Sequence, residues 1–416
     1  MKLKLLFIVF IFSSFVSLAQ NFNEHGGIYG FSENLVYVVT DNGHFFKSED
    51  GGFSWVEYSS GVNVEFYDLN FYNESLGFAV GQEGKILKTT DAGNNWTEVA
   101  SGITNDLYSI GIGALNNIYV VGDAGIILQS TDGGENWNSI QGVSSERLNH
   151  INFKNENTAY IAGDNGTLLY TENGGIDWQT LNAGTTDNYY YASVTENSVQ
   201  ILSGPEREYY FREGINGLQS FDNVNWNMYS MQVSIEPISG FHFQNDSEGY
   251  AVTSADALCQ CCYIEIVKTI DGGTNWESIF FQEFGQGQCN GGIGFSDISF
   301  VNDDHGYVLI GDKILIITPD EIFTSMIFLE TADFEKKQNF VLYPNPTENT
   351  ITIQFNNPTI ENLNISIFDI TGKPLLSHEM NNSRKELDIS ALSNGIYFIS
   401  LKSNGKSLGY QKLVKK

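Results

Sequence analysis

The chain has 416 residues, with 50 acidic against 21 basic side chains and a formal net charge of −29. The imbalance is uneven: residues 20–333 hold 43 acidic and nine basic side chains, whereas residues 334–416 hold seven acidic and ten basic ones. A field of that sign repels phosphate backbones and anionic lipid headgroups, so nucleic acid and anionic membrane surfaces are excluded as partners of the larger segment. The acids are spread along the chain and form no EF-hand-like loop, so they read as solubilising charge rather than a cation site.

Residues 1–19 carry Lys2 and Lys4, an apolar run from Leu5 to Phe12 and a small-residue end at Ser17-Leu18-Ala19. This pattern predicts a secretory signal peptide cleaved before Gln20. The apolar run is too short to span a bilayer, and no later segment is long enough. No cysteine stands at the cleavage point to take a lipid anchor.

From residue 20 to about 330 the sequence repeats. The six tryptophans, Trp55, Trp96, Trp137, Trp178, Trp226 and Trp276, are spaced 41, 41, 41, 48 and 50 residues apart. Five close the pattern Ser/Thr-x-Asp/Asn-x-Gly-x-x-Trp, through Asp50, Asp91, Asp132, Asn173 and Asp271; the sixth, Ser220-Asp222-Trp226, is one residue short. A period near 40 is that of blade arrays. The residue types suit a tight turn: Asp or Asn accepts from the turn's own N–H groups, and Gly supplies positive φ. The indole then packs beneath the turn. These residues are expected to hold the fold and perform no chemistry.

Upstream of each tryptophan lie short β-branched and aromatic runs punctuated by Gly and Asp, as in Phe66–Phe71, Gly77–Gly81 and Lys85–Thr90. These predict four strands per unit. Units starting near 26, 66, 107, 148, 190, 241 and 295 predict an all-β, seven-bladed β-propeller; six or eight blades follow if a terminal unit is read differently. The repeated phrase resembles the Asp-box, or BNR repeat. The stretch Gly77-Phe78-Ala79-Val80-Gly81 to Trp96 resembles the photosystem II assembly and stability factor type of BNR propeller. That resemblance implies the fold over residues 26–320 and leaves activity open, because one fold hosts many functions.

Two features break the repeat. The insertion Gly204–Gly217 carries Arg207, Tyr209, Tyr210, Phe211 and Arg212, and the connection before it carries Tyr189, Tyr190 and Tyr191. Two of the propeller's three arginines fall in this one insertion. Long loops on a rigid scaffold are where binding residues concentrate, and rings beside guanidinium groups suit a sugar or a peptide. Cys259, Cys261, Cys262 and Cys289 lie within 31 residues. In an exported chain they predict disulfides, with three pairings open; a thiolate zinc site is the alternative.

Catalysis has weak support. A sialidase needs three arginines around a carboxylate, and of Arg147, Arg207 and Arg212 two lie five residues apart in one loop. A glycanase with paired carboxylates has too many acids to choose among. No nucleophile elbow, phosphate loop or histidine-rich metal motif is present, and no cofactor is expected.

A linker over 331–340 is expected to lead into a small Ig-like β-sandwich over 341–416. The tail contains Leu342-Tyr343-Pro344-Asn345-Pro346, Ile367-Phe368-Asp369-Ile370-Thr371-Gly372-Lys373 and Leu387–Phe398, and ends Lys412-Leu413-Val414-Lys415-Lys416. In that order these phrases resemble the type A C-terminal sorting domain of the type IX secretion system of Bacteroidetes. The resemblance implies recognition by that machinery, passage through periplasm and outer membrane, and release or attachment at the cell surface. The expected function is that of a non-catalytic recognition or adhesion module with a glycan or protein ligand; a secreted glycoside hydrolase is the alternative.

Overall fold

The computed structural model describes residues 26–40, 43–52, 54–204, 216–231, 238–255, 262–284, 296–303, 305–310, 313–318, 322–326, 340–355, 363–368, 374–380, 384–403 and 406–416. The signal-peptide and linker readings, and most of the loop and cysteine residues singled out above, fall outside these. The chain divides into two compact units, one within residues 21–327 and one within 328–416.

In the first unit the strands run as successive antiparallel meanders, forming seven four-stranded sheets among the described residues. The first strand of each sheet is β1 (Gly27–Gly30), β5 (Phe66–Phe71), β9 (Leu107–Ala114), β13 (Leu148–Phe153), β17 (Asn188–Val194), β21 (Ile238–Phe243) and β25 (Ser296–Asn302). Each of these touches the first strand of the next sheet, and β25 returns to touch β1, so they form the inner wall of a closed propeller. Among the described residues each of these sheets is built from four consecutive strands, with none contributed by the other end of the chain. Side chains bridge the first and last blades. Asp297 accepts the Ile28 N–H at 3.0 Å, Ser299 accepts the Gly30 N–H at 3.0 Å, and the Tyr307 hydroxyl donates to the Glu33 carbonyl at 2.8 Å.

The second strands, among them β6 (Gly77–Gly81), β10 (Asn117–Gly122) and β14 (Ala159–Gly163), are buried throughout. They sit between inner and outer strands with neighbouring sheets on both faces, which explains their continuous apolar runs. Fourth strands such as β8 (Thr97–Val99) and β12 (Asn138–Ile140) are short and mostly exposed. A short outer edge presents few unpaired backbone groups for aberrant pairing.

The tail forms a sandwich. One sheet joins β29 (Phe340–Tyr343), β30 (Thr350–Phe355) and β33 (Arg384–Asp388); the other has the order β32 (Pro374–Met380), β31 (Leu363–Phe368), β34 (Gly395–Ser403), β35 (Lys406–Lys415). Ile351, Ile353 and Leu387 from the first meet Ile365, Ile367, Ile399, Leu401 and Leu413 from the second in one core. The period-2 alternation of Ile365-Ser366-Ile367 places the apolar side chains between the sheets.

Candidate binding face and polar axis

The Asp-box turns are closed by their own side chains. In the second blade Thr89 Oγ1 accepts the Gly93 N–H at 2.9 Å and donates to Asp91 Oδ1 at 3.0 Å, while Asp91 Oδ1 accepts the Asn95 N–H at 2.9 Å. Asn95 Nδ2 returns to Asp91 Oδ2 at 2.6 Å. The same set recurs around Asp132 with Asn136 and around Asp271 with Asn275, and Asp50 pairs similarly with the Ser54 hydroxyl. In the fourth blade the roles are exchanged, since Asn173 Nδ2 donates to the Asp177 carboxylate at 3.1 Å. In the short box of the fifth blade, Ser220 accepts the Asn223 N–H, and Asn223 takes positive φ in place of glycine. Hydrogen bonds from their own turns hold the Asp132 and Asp222 carboxyls down to about 2 and lower those of Asp91 and Asp271. Both oxygens of the Asp91, Asp132, Asp222 and Asp271 carboxylates thus already accept bonds from their own turns.

A ring from the preceding blade fits under each box. Phe78 stands edge-on to Trp137, and Tyr119 to Trp178, with the Tyr119 hydroxyl donating to the Gly174 carbonyl at 2.8 Å. Tyr37 donates to the Ala92 carbonyl, and Tyr160 to Asn223. Tyr37, Phe78, Tyr119 and Tyr160 each stand 18 residues before their own blade's tryptophan, a signal that sequence reasoning missed. In blades two, three, four and six the box glycine does two things: it takes positive φ, and it leaves room for the ring. A Cβ on Gly134 would lie 2.2 Å from the Phe78 ring and one on Gly175 2.0 Å from Tyr119. In the fifth blade Gln200 occupies the ring position. Tyr229 from the outer strand fills the space under the next box instead, donating to Gln200 Oε1 at 3.1 Å.

A second feature unseen in the sequence runs along the axis. Inner-strand side chains accept backbone N–H groups from the next blade in a repeating circumferential pattern. Asp68 Oδ2 accepts from Ile110 N and from the Ser109 hydroxyl, both at 2.9 Å; Ser109 accepts from Ile151 N, and His150 Nδ1 from Ala192 N. Ser193 accepts from Phe243 N, and Asp297 from Ile28 N. The acceptor role of His150 Nδ1 requires the neutral Nε2–H tautomer. Burial raises the Asp68 carboxyl to about 7, helped by the charge of Asp297, and burial raises Asp297 to about 6. Burial lowers the imidazoles of His150, which also feels His242, and of His242 to about 4 each.

At the end where the inner strands begin, the Tyr67 and Tyr108 rings stack with centroids 5.2 Å apart, and the Arg147 guanidinium lies 3.9 Å over Tyr108. The connections from second to third strand leave from the same end. In blades two to four they are tight four-residue links, 82–85, 123–126 and 164–167. In the fifth blade the connection is 205–215, in the sixth it is 256–261, and 285–295 joins the sixth blade to the seventh. All three long connections thus leave from one end of adjacent sheets.

The expected ligand contacts divide accordingly. Tyr189 is fully buried among Tyr160, Leu168 and Ile201, with its hydroxyl on the Thr185 carbonyl, so its ring offers no face to a ligand. Tyr190 is half-buried and packs with Tyr191 against the core around Phe241. Arg207, Tyr209, Tyr210, Phe211 and Arg212 lie outside the described residues, as do Cys259, Cys261 and Cys289. Cys262 opens β23 (Cys262–Thr269). Among the described residues no group of three or more His, Cys, Asp or Glu side chains could hold a metal ion, and no helix is long and apolar enough to cross a membrane.

Residues 341–416 match the family model for the secretion system C-terminal sorting domain. The tail is a C-terminal sorting domain. As a sorting domain it sends the chain through type IX secretion to the cell surface or the medium. Within the propeller, residues 55–145 and 88–188 match the model for the photosynthesis system II assembly factor YCF48, which is built on BNR repeats. Solved structures agree on the fold. The YCF48 protein bound to a D1 peptide aligns at TM-score 0.56 and 17% identity, over 73% of this chain and 95% of its own. YCF48 from Cyanidioschyzon merolae aligns at TM-score 0.53 and 16% identity, over 74% and 98%. The Niastella koreensis GH74 enzyme aligns at TM-score 0.57 and 13% identity, over 96% of this chain and 74% of its own. At these identities the likeness is one of fold alone. No curated protein matches the chain.

Proposed function

We propose that this sorting-domain protein is an exported, non-catalytic recognition module. In this reading it binds its ligand at the end of the propeller where connections 205–215, 256–261 and 285–295 emerge. The observation that carries the reading is their confinement to one end of adjacent blades, where blades one to four link second to third strand by four residues, the seventh by two, and the other inter-blade connections take six or seven. A closed propeller is a rigid frame, and binding residues concentrate on the loops that such a frame presents. Arg207, Tyr209, Tyr210, Phe211 and Arg212 supply stacking and bidentate donors suited to a glycan or a peptide. Two proteins of this fold are described as binding a peptide and as a GH74 enzyme, so both ligand classes have precedent on the fold.

The test is the triple substitution Tyr209→Ala, Tyr210→Ala and Arg212→Ala in the full chain, read on glycan and peptide arrays. Loss of the retained ligand with unchanged thermal unfolding supports the reading; unchanged retention overturns it.

The enzymatic reading has one specific observation in its favour, the buried pair Asp68 and Asp297, whose carboxyls burial raises to about 7 and about 6, in the direction a general acid needs. Both carboxylates already accept backbone N–H groups that brace neighbouring blades, and this favours a structural role. Release of reducing ends from plant or algal polysaccharide, lost in Asp68→Asn, would establish catalysis.

A further inference from the structure

The opposite end of the propeller, where the Asp-box turns lie, carries a feature the repeat does not require. Large apolar side chains stand exposed there on consecutive blades: Tyr72 and Leu115 on the first-to-second-strand turns of blades two and three, then Ile176, Phe221, Val224 and Ile270 on the box turns of blades four to six. Ile176 is 81% exposed, Val224 76% and Ile270 74%. Every other strongly exposed large apolar residue described in the propeller lies on an outer strand, and none lies at the loop-bearing end. Ile176 and Val224 occupy a box position held by Asn94 in blade two and Glu135 in blade three, so nothing in the turn itself calls for an apolar residue. Exposed apolar groups gathered on one face of a soluble protein mark interaction sites.

This end is also rigid. The Gly174 N–H bonds the Asn157 carbonyl and the Gly272 N–H the Ser247 carbonyl, tying each box to the neighbouring turn of its own blade. Between blades, Asn197 and Ser198 donate to the Asp246 carboxylate at 2.8 and 3.0 Å, Asn117 donates to the Glu156 carbonyl at 2.7 Å, and Tyr160 donates to Asn223. The apolar side chains are therefore mounted on a bonded floor, and a partner meets a preorganised surface.

Charge selects the partner. Glu156, Glu172, Asp177, Glu196, Asp222 and Asp271 stand on the turns at this same end of blades four to six and are exposed. Three of the four lysines described at this end are ion-paired, Lys47 with Glu49 at 2.7 Å, Lys88 with Glu135 at 2.6 Å and Lys268 with Glu248, and the fourth, Lys154, shares its turn with the exposed Glu156. A second copy of this acidic propeller would be repelled, as would an anionic lipid surface. We propose that the Asp-box end is a docking surface for a cationic, apolar polypeptide segment, whose apolar side chains meet Ile176, Phe221, Val224 and Ile270 while its Lys or Arg residues meet the acidic rim. This surface is separate from the loop-bearing end, and the inference does not rest on the function proposed there.

The experiment uses the full chain and a synthetic 16-residue peptide alternating leucine with lysine, followed by fluorescence anisotropy. A matched peptide alternates leucine with glutamate. The expected result is binding of the lysine peptide, weakened at least tenfold by combining Ile176→Ser, Phe221→Ser, Val224→Ser and Ile270→Ser, a variant that keeps every charge. The single variants Ile176→Ser and Ile270→Ser should each weaken binding at least twofold with unchanged unfolding temperature, and the glutamate peptide should not bind. Undiminished binding by the four-serine variant would reduce the effect to bulk charge and overturn the inference. So would absence of binding, equal binding of the glutamate peptide, or sedimentation of the wild-type chain with phosphatidylcholine vesicles that the four-serine variant loses.

Discussion

The Asp-box repeat can be tested one atom pair at a time. In five boxes a carboxylate faces a donor one residue before the tryptophan; in the fourth, Asn173 faces Asp177. Asn173→Asp alone sets two carboxylates against each other, and like charges at hydrogen-bond distance are destabilising. We expect its unfolding temperature to fall by roughly 2–4 °C and to recover when Asp177→Asn is added. Gly134 and Gly102 separate the two costs of losing a glycine. Both take positive φ, but a Cβ meets the Phe78 ring at Gly134 and nothing at Gly102. Gly102→Ala should cost about 1 kcal/mol in chemical denaturation, and Gly134→Ala about 3 kcal/mol or more. Equal costs would contradict the account of ring packing.

At the scale of the blade, the fifth is the informative departure. With Gln200 where other blades carry a ring, Tyr229 alone fills the space beneath the box of the sixth blade. Tyr229→Ala should therefore cost about 3–5 kcal/mol, in the range of core aromatic truncations, although it lies on an outer strand. A cost under 1 kcal/mol would show that the space collapses without it. The expected starts near 66, 107 and 148 match β5, β9 and β13, because Gly and Asp punctuation marks each turn. The later starts near 190 and 241 fall within three residues of β17 and β21, where insertions lengthen the unit. Tyr189 turns inward, which the sequence does not reveal because a Tyr-Tyr-Tyr run has no visible inside and outside. The bulge between Tyr189 and Tyr191 decides which ring turns inward, and a bulge leaves no composition signal. The axial hydrogen bonds are equally hidden, since Asp68, Ser109 and His150 hold equivalent positions on three inner strands but differ in residue type.

For the whole propeller, the axis sets the response to pH. Asp68 and Asp297 have folded pKa values above their unfolded ones, so the folded state binds more protons between pH 4 and 7, and their contribution to stability falls as pH rises through that window. His150 and His242 have folded values below their unfolded ones, so the stability they allow is present above about 6.5 and lost as pH falls toward 4. The two effects oppose each other, and the native chain should change little in stability between pH 5 and 7. Combining His150→Asn with His242→Asn should leave a protein more stable at pH 5 than at pH 7.5 by a few kcal/mol, and combining Asp68→Asn with Asp297→Asn should reverse the slope. Urea titrations across that range read both signs, and identical slopes in the two variants would refute the assignment. The central claim, recognition without turnover, is tested most directly by incubating the purified chain with a panel of plant and algal polysaccharides and scoring retention and released reducing ends together. The account predicts that a ligand in the panel is retained and that no reducing ends appear at micromolar protein; sustained release of reducing ends would contradict it.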